Sequence, residues 1–198
     1  MTANYTFKKR KAGFALDVPQ AVVNRFISSE DPHARSIISK TLSNFLYTHC
    51  PKIVVVCVGT DLVTGDSFGP LVGTFLEQMG LNNVSIYGTL KHPVHALNLL
   101  KTIQIIEREH PFSFVIAVDA SLGKKDNIGY INLVNQPLHP GAALQKKLPY
   151  IGNCAIKGII NEVGQSEFYT LQNTRLHLVW DLAQLTANSI ADSIHSMS

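Results

Sequence analysis

One stretch decides the fold of this 198-residue chain: Ile53-Val54-Val55-Val56-Cys57-Val58-Gly59. Its first six residues are apolar and mainly β-branched, which is typical of a strand that is buried on both faces. Such strands belong to parallel sheets that helices cover on both sides. The stretch therefore predicts an inner strand of an α/β fold, and Gly59 marks its end.

Segments on either side of this strand alternate between helical and extended patterns. Apolar residues at helical spacing predict helices at about 31–49, 67–79, 93–109, 142–148 and 174–194. Short apolar runs predict further strands at 84–87, 112–118, 130–134 and 155–160. This alternation predicts a three-layer α/β fold, with a mostly parallel sheet and helices on both faces.

The chain divides into two unequal parts. Residues 1–30 show no strong period and predict an irregular N-terminal arm, with a short helix near 19–27. Residues 31–198 predict a single α/β domain, because no repeat or linker interrupts them and the length fits one domain.

Composition excludes several classes of protein. Apolar residues make up 45% of the chain and charged residues 16%, which excludes a disordered chain. The net charge of +3, with one basic run at 8–11, predicts no nucleic-acid partner. No apolar stretch approaches the ~20 residues that span a bilayer, so we expect no membrane partner. Three cysteines without a CxxC pair suit reduced thiols and predict a cytoplasmic protein.

Two acidic residues follow inner strands of the predicted sheet. Asp66 lies in the loop after the strand at 53–58, and Asp119 directly follows the strand at 112–118. Ligands of open α/β sheets bind beyond the carboxyl ends of the strands, so neighbouring strands bring both carboxylates to one crevice. Two carboxylates held close cannot both ionise cheaply, and one retains a proton. Such a pair supplies a base that activates water and an acid that protonates a leaving group.

Structural roles account for the same residues equally well. Asp66 precedes a predicted helix and is a good N-cap residue, and Asp119 fits a turn after its strand. Ser67 and Ser121 lie near the predicted crevice, but no local spacing pairs either of them with a histidine.

Motifs for other chemistry are absent from the sequence. The glycines at 59, 65 and 69 do not form GxGxxG, and neither GxxxxGK[ST] nor GxSxG occurs. We therefore expect no nucleotide site, no nucleophile-elbow serine and no cofactor.

Histidines supply the remaining candidates. His92 and His95 follow the second predicted strand, and His139 follows the strand at 130–134. Asp66, Asp119 and His139 could form an Asp/Asp/His set that holds a divalent metal. An exposed loop position explains any single histidine as well, and a site without metal is the preferred prediction.

Three segments resemble motifs of the spore germination proteases, in the same order and with similar spacing: Thr64-Gly65-Asp66-Ser67-Phe68-Gly69-Pro70, Val118-Asp119-Ala120 and Pro140-Gly141. Further runs resemble a sporulation protein related to that family: Gly88-Thr89-Leu90, Pro93-Val94-His95-Ala96 and Leu171-Gln172-Asn173-Thr174-Arg175-Leu176. The likeness covers about residues 50–190. More distantly, the chain is similar to the hydrogenase maturation endopeptidases.

This resemblance implies a phosphorylase/hydrolase-like α/β fold and an atypical, aspartate-dependent endopeptidase activity. Asp66 and Asp119 match the two acidic positions of the spore proteases. His139 lies near the place of a histidine with which the hydrogenase endopeptidases recognise nickel in their substrate. The expected supporting or substrate-binding residues are His95, His139, Ser67 and Gly141.

The same resemblance implies a sporulation-associated enzyme in the cytoplasm of the forespore or sporulating cell. Its expected partner is a protein or peptide substrate, such as a spore protein, and a homodimer is a further expectation. The germination proteases are longer and carry a propeptide and inserted segments. Two alternatives therefore stay open: a non-catalytic peptide- or protein-binding module on a degenerate peptidase scaffold, and a metal-dependent hydrolase.

Overall fold

A computed structural model describes residues 21–46, 52–140, 148–164 and 166–196. The strands and α-helices follow one another in the order β1 (Asn24–Ser28), α1 (Ala34–Ser43), β2 (Ile53–Cys57), α2 (Phe68–Met79), β3 (Val84–Tyr87), α3 (Leu99–Glu109), β4 (Phe114–Gly123), β5 (Tyr130–Val134), β6 (Cys154–Glu162), α4 (Glu167–Gln172) and α5 (Leu176–His195). A 3₁₀ turn, Gly65–Ser67, leads directly into α2.

The six strands form one sheet in the order β1-β5-β6-β4-β2-β3. The pairings that join β3, β2, β4 and β6 are parallel, whereas β5 runs antiparallel to both β6 and β1. Five of these strands therefore point in one direction, and β5 opposes them. The predicted α/β class with a mostly parallel sheet is confirmed.

Helices cover both faces of this sheet. On one face, which we call the α5 face, α1, α2 and α5 pack on alternate strand residues such as Val55 and Ile116. On the other, the α3 face, α3 packs on the intervening residues such as Val54 and Val115. Because β2 contributes to both clusters, all five of its residues are buried. The continuous apolar run at 53–57 is thus the signature of its central position.

The N-terminal segment differs from its prediction. Asn24–Ser28 forms β1 and pairs with β5 at the edge of the sheet, so the helix predicted near 19–27 is wrong for the residues that are described. Ile27 is the one fully buried residue of β1, because an edge strand buries only part of one face. A strand of this kind carries little apolar signal. The short helix predicted at 142–148 lies, apart from Leu148, outside the described residues.

The strand that carries Asp119 is longer than predicted. β4 continues through Asp119 to Gly123, because β6 pairs with it as far as Glu162. Asp119 is therefore a strand residue, and the interpretation of it as a turn residue after the strand is wrong. Its side chain belongs to the α3 face, since Val115 and Ala117 of the same alternation pack there.

The helices also differ from the predictions, most clearly at α3 and α4. α3 begins at Leu99 and not at Pro93, because Val94 instead pairs with Val58 beyond the end of β2. The short helix α4 was not predicted, and it packs beside the 3₁₀ turn that contains Asp66.

Candidate active site

The loop after β2 returns to the end of the strand that it leaves. The backbone N–H of Thr60 donates to the carbonyl oxygen of Asp66 at 3.2 Å, which closes residues 60–66 into a compact turn. Gly59 permits this approach, because its φ is +141° and a Cβ there would lie 2.0 Å from the same carbonyl oxygen. Asp66 is thereby held in the 3₁₀ turn beside the carboxyl end of β2.

Asp119 lies within its strand, but one of its two neighbouring strands has already ended. β2 ends at Cys57, which pairs with Val118, and the Val58 N–H still donates to the Val118 carbonyl oxygen at 2.7 Å before the chain turns away at Gly59. On the other side, β6 continues and pairs Asp119 with Lys157. Asp119 therefore borders the place where the loop that carries Asp66 begins.

The carboxyl groups of Asp66 and Asp119 interact electrostatically. Burial, together with repulsion by the charge of Asp66, raises the pKa of Asp119 well above its ordinary value. Burial also raises the pKa of Asp66, against the opposing effects of a Thr60 backbone hydrogen bond and the charge of His95. Both side chains are half-buried. Asp119 is the more strongly perturbed of the two, and it retains its proton to higher pH.

His95 is placed near Asp66 by an extension of β2. Val94 pairs in parallel with Val58, and the Gly59 N–H donates to the Val94 carbonyl oxygen at 2.8 Å. His95 follows directly and is half-buried. Its Nδ1 accepts the backbone N–H of Leu97 at 3.3 Å, which leaves Nε2 as the ring nitrogen that can meet a ligand.

Lys157 is a site residue that the sequence analysis missed. It pairs with Asp119 across β4 and β6, its side chain lies on the same α3 face, and its charge opposes the rise in the pKa of Asp119. The signal for it was present, because a lysine within the apolar run of β6 needs a partner or an opening to solvent.

The serines near the crevice already have hydrogen-bond partners. Ser67 is buried, and its hydroxyl donates to the Thr64 carbonyl oxygen at 2.6 Å, so it stabilises the 3₁₀ turn. Ser121 lies two residues beyond Asp119, and its hydroxyl donates to the Leu122 carbonyl oxygen at 3.2 Å. Gly141, the remaining predicted substrate-binding residue, lies outside the described residues.

His139 is not brought to the aspartates. β5 is antiparallel to its neighbours, so its carboxyl end lies with the amino ends of the parallel strands, at the opposite end of the sheet from the carboxyl end of β2. Leu138 pairs there with Ile151, and the ring of His139 stacks on that of Tyr150 with centroids 4.6 Å apart. The expectation that His139 joins Asp66 and Asp119 is therefore wrong, because it assumed that the strand before it was parallel.

Metal ligation was the second use predicted for these residues. Within the ranges that the structure describes, no three His, Cys, Asp or Glu side chains are grouped so that they could hold a metal ion. Because His139 lies at the opposite end of the strands from Asp66 and Asp119, the predicted Asp/Asp/His set does not form.

The chain matches the family model DUF1256, a protein family of unknown function, over residues 26–189. The chain belongs to the DUF1256 family. The match begins within β1 and ends within α5, so it includes Asp66, Asp119, His95 and Lys157.

Individual proteins are also similar to this DUF1256 chain. The chain is 45% identical over 183 residues to the uncharacterized protein YyaC of Bacillus subtilis (strain 168), covering 92% of this chain and 88% of YyaC. The runs at 88–90, 93–96 and 171–176 predicted a resemblance to this Bacillus protein, and that resemblance is confirmed. Among solved structures, the [NiFe] hydrogenase maturation protease HycI from Thermococcus kodakarensis KOD1 matches with a TM-score of 0.46 and 15% identity, over 76% of this chain and 98% of HycI. A likeness at this level transfers neither activity nor substrate to the DUF1256 chain.

The arrangement in this DUF1256 chain joins two carboxyl groups of unequal acidity with two basic side chains. His95 acts on Asp66, and Lys157 acts on Asp119. Unequal neighbouring carboxyls are suited to general base and general acid roles.

No helix in the described part of the chain is long and apolar enough to cross a membrane.

Proposed function

We propose that this chain is an aspartate-dependent endopeptidase that hydrolyses a peptide bond of a protein substrate through Asp66 and Asp119. One observation carries the proposal: two half-buried carboxyl groups from separate segments interact, and the pKa of one is raised well above that of an ordinary aspartate. Perturbed pKa values of this kind concentrate at catalytic sites. The resemblance to spore germination proteases supports a sporulation role, and a spore protein is the proposed substrate.

The unequal acidities assign the two roles. Ionised Asp66 removes a proton from water while the water oxygen attacks the peptide carbonyl carbon. Protonated Asp119 then donates its proton to the leaving nitrogen as the C–N bond breaks. Transfer of a proton from Asp66 to Asp119 restores the starting state. His95 orients the substrate or the water through Nε2, and the charge of Lys157 limits the rise in the pKa of Asp119.

Substitution of either carboxyl tests this assignment. We expect Asp66→Asn and Asp119→Asn each to lower cleavage by roughly 100-fold or more, the usual range for loss of a general acid or base. Purified wild type and variants are incubated with spore extract, and new peptide termini are identified by mass spectrometry. Asp61→Asn is the matched control, because Asp61 is exposed in the same loop and lies outside the pair.

A non-catalytic binding module on the same scaffold is the second candidate, since the hydroxyls of both serines near the crevice already donate to backbone carbonyl oxygens. Titration of the two carboxyls by NMR separates the candidates. The peptidase requires one strongly raised pKa, whereas two ordinary values favour the binding module. Undiminished cleavage by the double variant Asp66→Asn/Asp119→Asn rules out the peptidase mechanism.

The remaining expectations are also part of this proposal. We place the protein in the cytoplasm of the forespore or sporulating cell, and a homodimer is its proposed assembly. Loss of activity on chelation, with recovery on adding a divalent metal, favours a metal-dependent hydrolase over the metal-free mechanism.

A further inference from the structure

An open groove lies on the α3 face beside Asp119. Its volume is about 450 Å³, and it crosses the sheet from β1 to β4. The lining side chains that matter here are Phe26, Ser121, Lys124, Asn132, Lys157 and Ile159.

Strand register connects this groove to the aspartate pair. Lys157 is the partner of Asp119 on β6, and Ser121 is the next residue of β4 on the same face. Asn132 of β5 pairs with Lys157, and Phe26 of β1 pairs with Asn132. The groove is therefore a row of cross-strand neighbours that begins beside the proposed acid.

The charge of the groove has one sign. Two lysines, Lys124 and Lys157, belong to its lining, and no aspartate or glutamate does. Within the described ranges, neither lysine forms an ion pair closer than 4.0 Å. Phe26, which is 46% exposed, adds an open apolar surface at the far end. A ligand with a carboxylate near Lys157 and an apolar side chain near Phe26 complements this lining.

We propose that the groove binds an extended peptide segment through a carboxylate, which the ammonium groups of Lys157 and Lys124 recognise. From β1 to β4 the groove covers three strand spacings, about 14 Å, which is the length of about four extended residues. This carboxylate belongs either to an acidic side chain of the bound peptide or to the free C-terminus of that peptide. The inference rests on the proposed function only in making this segment part of a substrate.

Peptide binding tests the proposal without requiring cleavage. Three fluorescein-labelled octapeptides of alanine, valine and serine are compared by fluorescence anisotropy, with full-length Asp66→Asn and with wild type. The first peptide has a central glutamate and an amidated C-terminus. The second has glutamine in place of the glutamate and is also amidated. The third is the glutamine peptide with a free C-terminal carboxylate. We expect one of the two carboxylate peptides to bind at least about fivefold more tightly than the amidated glutamine peptide, and less so at high salt.

Neighbouring lysines provide a matched pair of variants. The preference is that of the tighter-binding carboxylate peptide over the amidated glutamine peptide. We expect Lys157→Gln to reduce this preference about fivefold and Lys124→Gln about twofold, since Lys124 is exposed. Lys125→Gln leaves it unchanged, because Lys125 is also exposed but does not line the groove.

Several outcomes overturn the inference. They are equal binding of all three peptides, no measurable binding, or an equal loss in Lys124→Gln and Lys125→Gln, which indicates non-specific attraction. Displacement of the glutamate peptide by a much tighter short single-stranded DNA assigns the groove to nucleic acid instead. Carboxylate-dependent binding without cleavage in any assay supports the proposed groove and contradicts the peptidase function. Cleavage without a preference for the carboxylate peptides supports the peptidase function and contradicts the proposed groove.

Discussion

Gly59 allows the loop that carries Asp66 to close against the end of β2. The carbonyl oxygen of Asp66 lies where a Cβ of residue 59 would be, and the backbone there has a φ of +141°. Any side chain at this position therefore strains the backbone and pushes the turn at 60–66 away from β2. The glycine that ends the first strand is also the residue that allows the acidic loop to close.

We expect Gly59→Ala to destabilise the fold by roughly 1–3 kcal/mol and to abolish most cleavage. Gly80→Ala is the control, because Gly80 has a φ of +61° at the end of α2 with no atom within 4 Å of an added Cβ. It should cost about 1 kcal/mol and leave cleavage unchanged. Urea unfolding and the cleavage assay check both variants. Full activity of Gly59→Ala would mean that the loop closure does not position Asp66.

The connection between β3 and α3 behaves as a single structural element. Its strand-like half pairs Val94 with Val58, and its turn is closed by Asn98. The Asn98 side-chain oxygen accepts the His95 N–H at 2.8 Å, and its nitrogen donates to the Pro93 carbonyl oxygen at 2.9 Å. Asn98 is therefore a positioning residue for His95.

Removal of this clamp should affect activity more than stability. We expect Asn98→Ala to cost roughly 1–2 kcal/mol, because two backbone groups lose a partner. Cleavage should fall about tenfold through kcat, since a small displacement of an orienting group is enough.

Asn135→Ala is the matched comparison for Asn98→Ala. Asn135 accepts the Val23 N–H and donates to the Ala21 carbonyl oxygen in the same way, at a distance from the site. Similar losses of stability are expected for the two variants, with activity lost in Asn98→Ala alone. If kcat falls equally in both, Asn98 has only a structural role.

At the scale of the whole molecule, the site is maintained at the expense of stability. Burial and mutual repulsion raise the pKa values of Asp119 and Asp66 in the folded chain. A raised carboxyl pKa means that the folded state binds more protons than the unfolded state between the two pKa values. The contribution of these two carboxyls to stability is therefore greatest below the ordinary pKa of 3.8, and it is lost as the pH rises from there through the folded pKa of Asp119.

We expect Asp119→Asn to be more stable than wild type at neutral pH, on the order of 1–2 kcal/mol, because Asp119 ionises freely only in the unfolded wild type, which favours unfolding, and an amide does not ionise. The difference should shrink as the pH falls towards 4. Urea unfolding at a series of pH values measures it, with exposed Asp61→Asn as the variant that shows no such trend. A difference that does not change with pH contradicts the account of Asp119.

Sequence patterns located the site only where neighbouring strands are parallel. Asp66 and Asp119 were recognisable because each follows or lies within an apolar strand, and β2 and β4 are adjacent and parallel. His139 was misplaced because β6 inserts between β5 and β4 and β5 runs in the opposite direction. Lys157 stood out as a lysine in an apolar run, but its partner Asp119 depends on the same strand order. The order of strands depends on pairings between distant segments, which no local spacing reports.

The sequence by itself determined which segments are buried, because a run that is apolar on both faces, such as 53–57, is stable only inside a sheet that helices cover. It also determined where that strand ends, since a glycine directly after an apolar run favours a break in the strand. Only the tertiary structure decided which polar groups meet. Asp119 acquires Asp66 on one side and Lys157 on the other because β2 ends early and β6 continues, and these lengths are set by packing between elements.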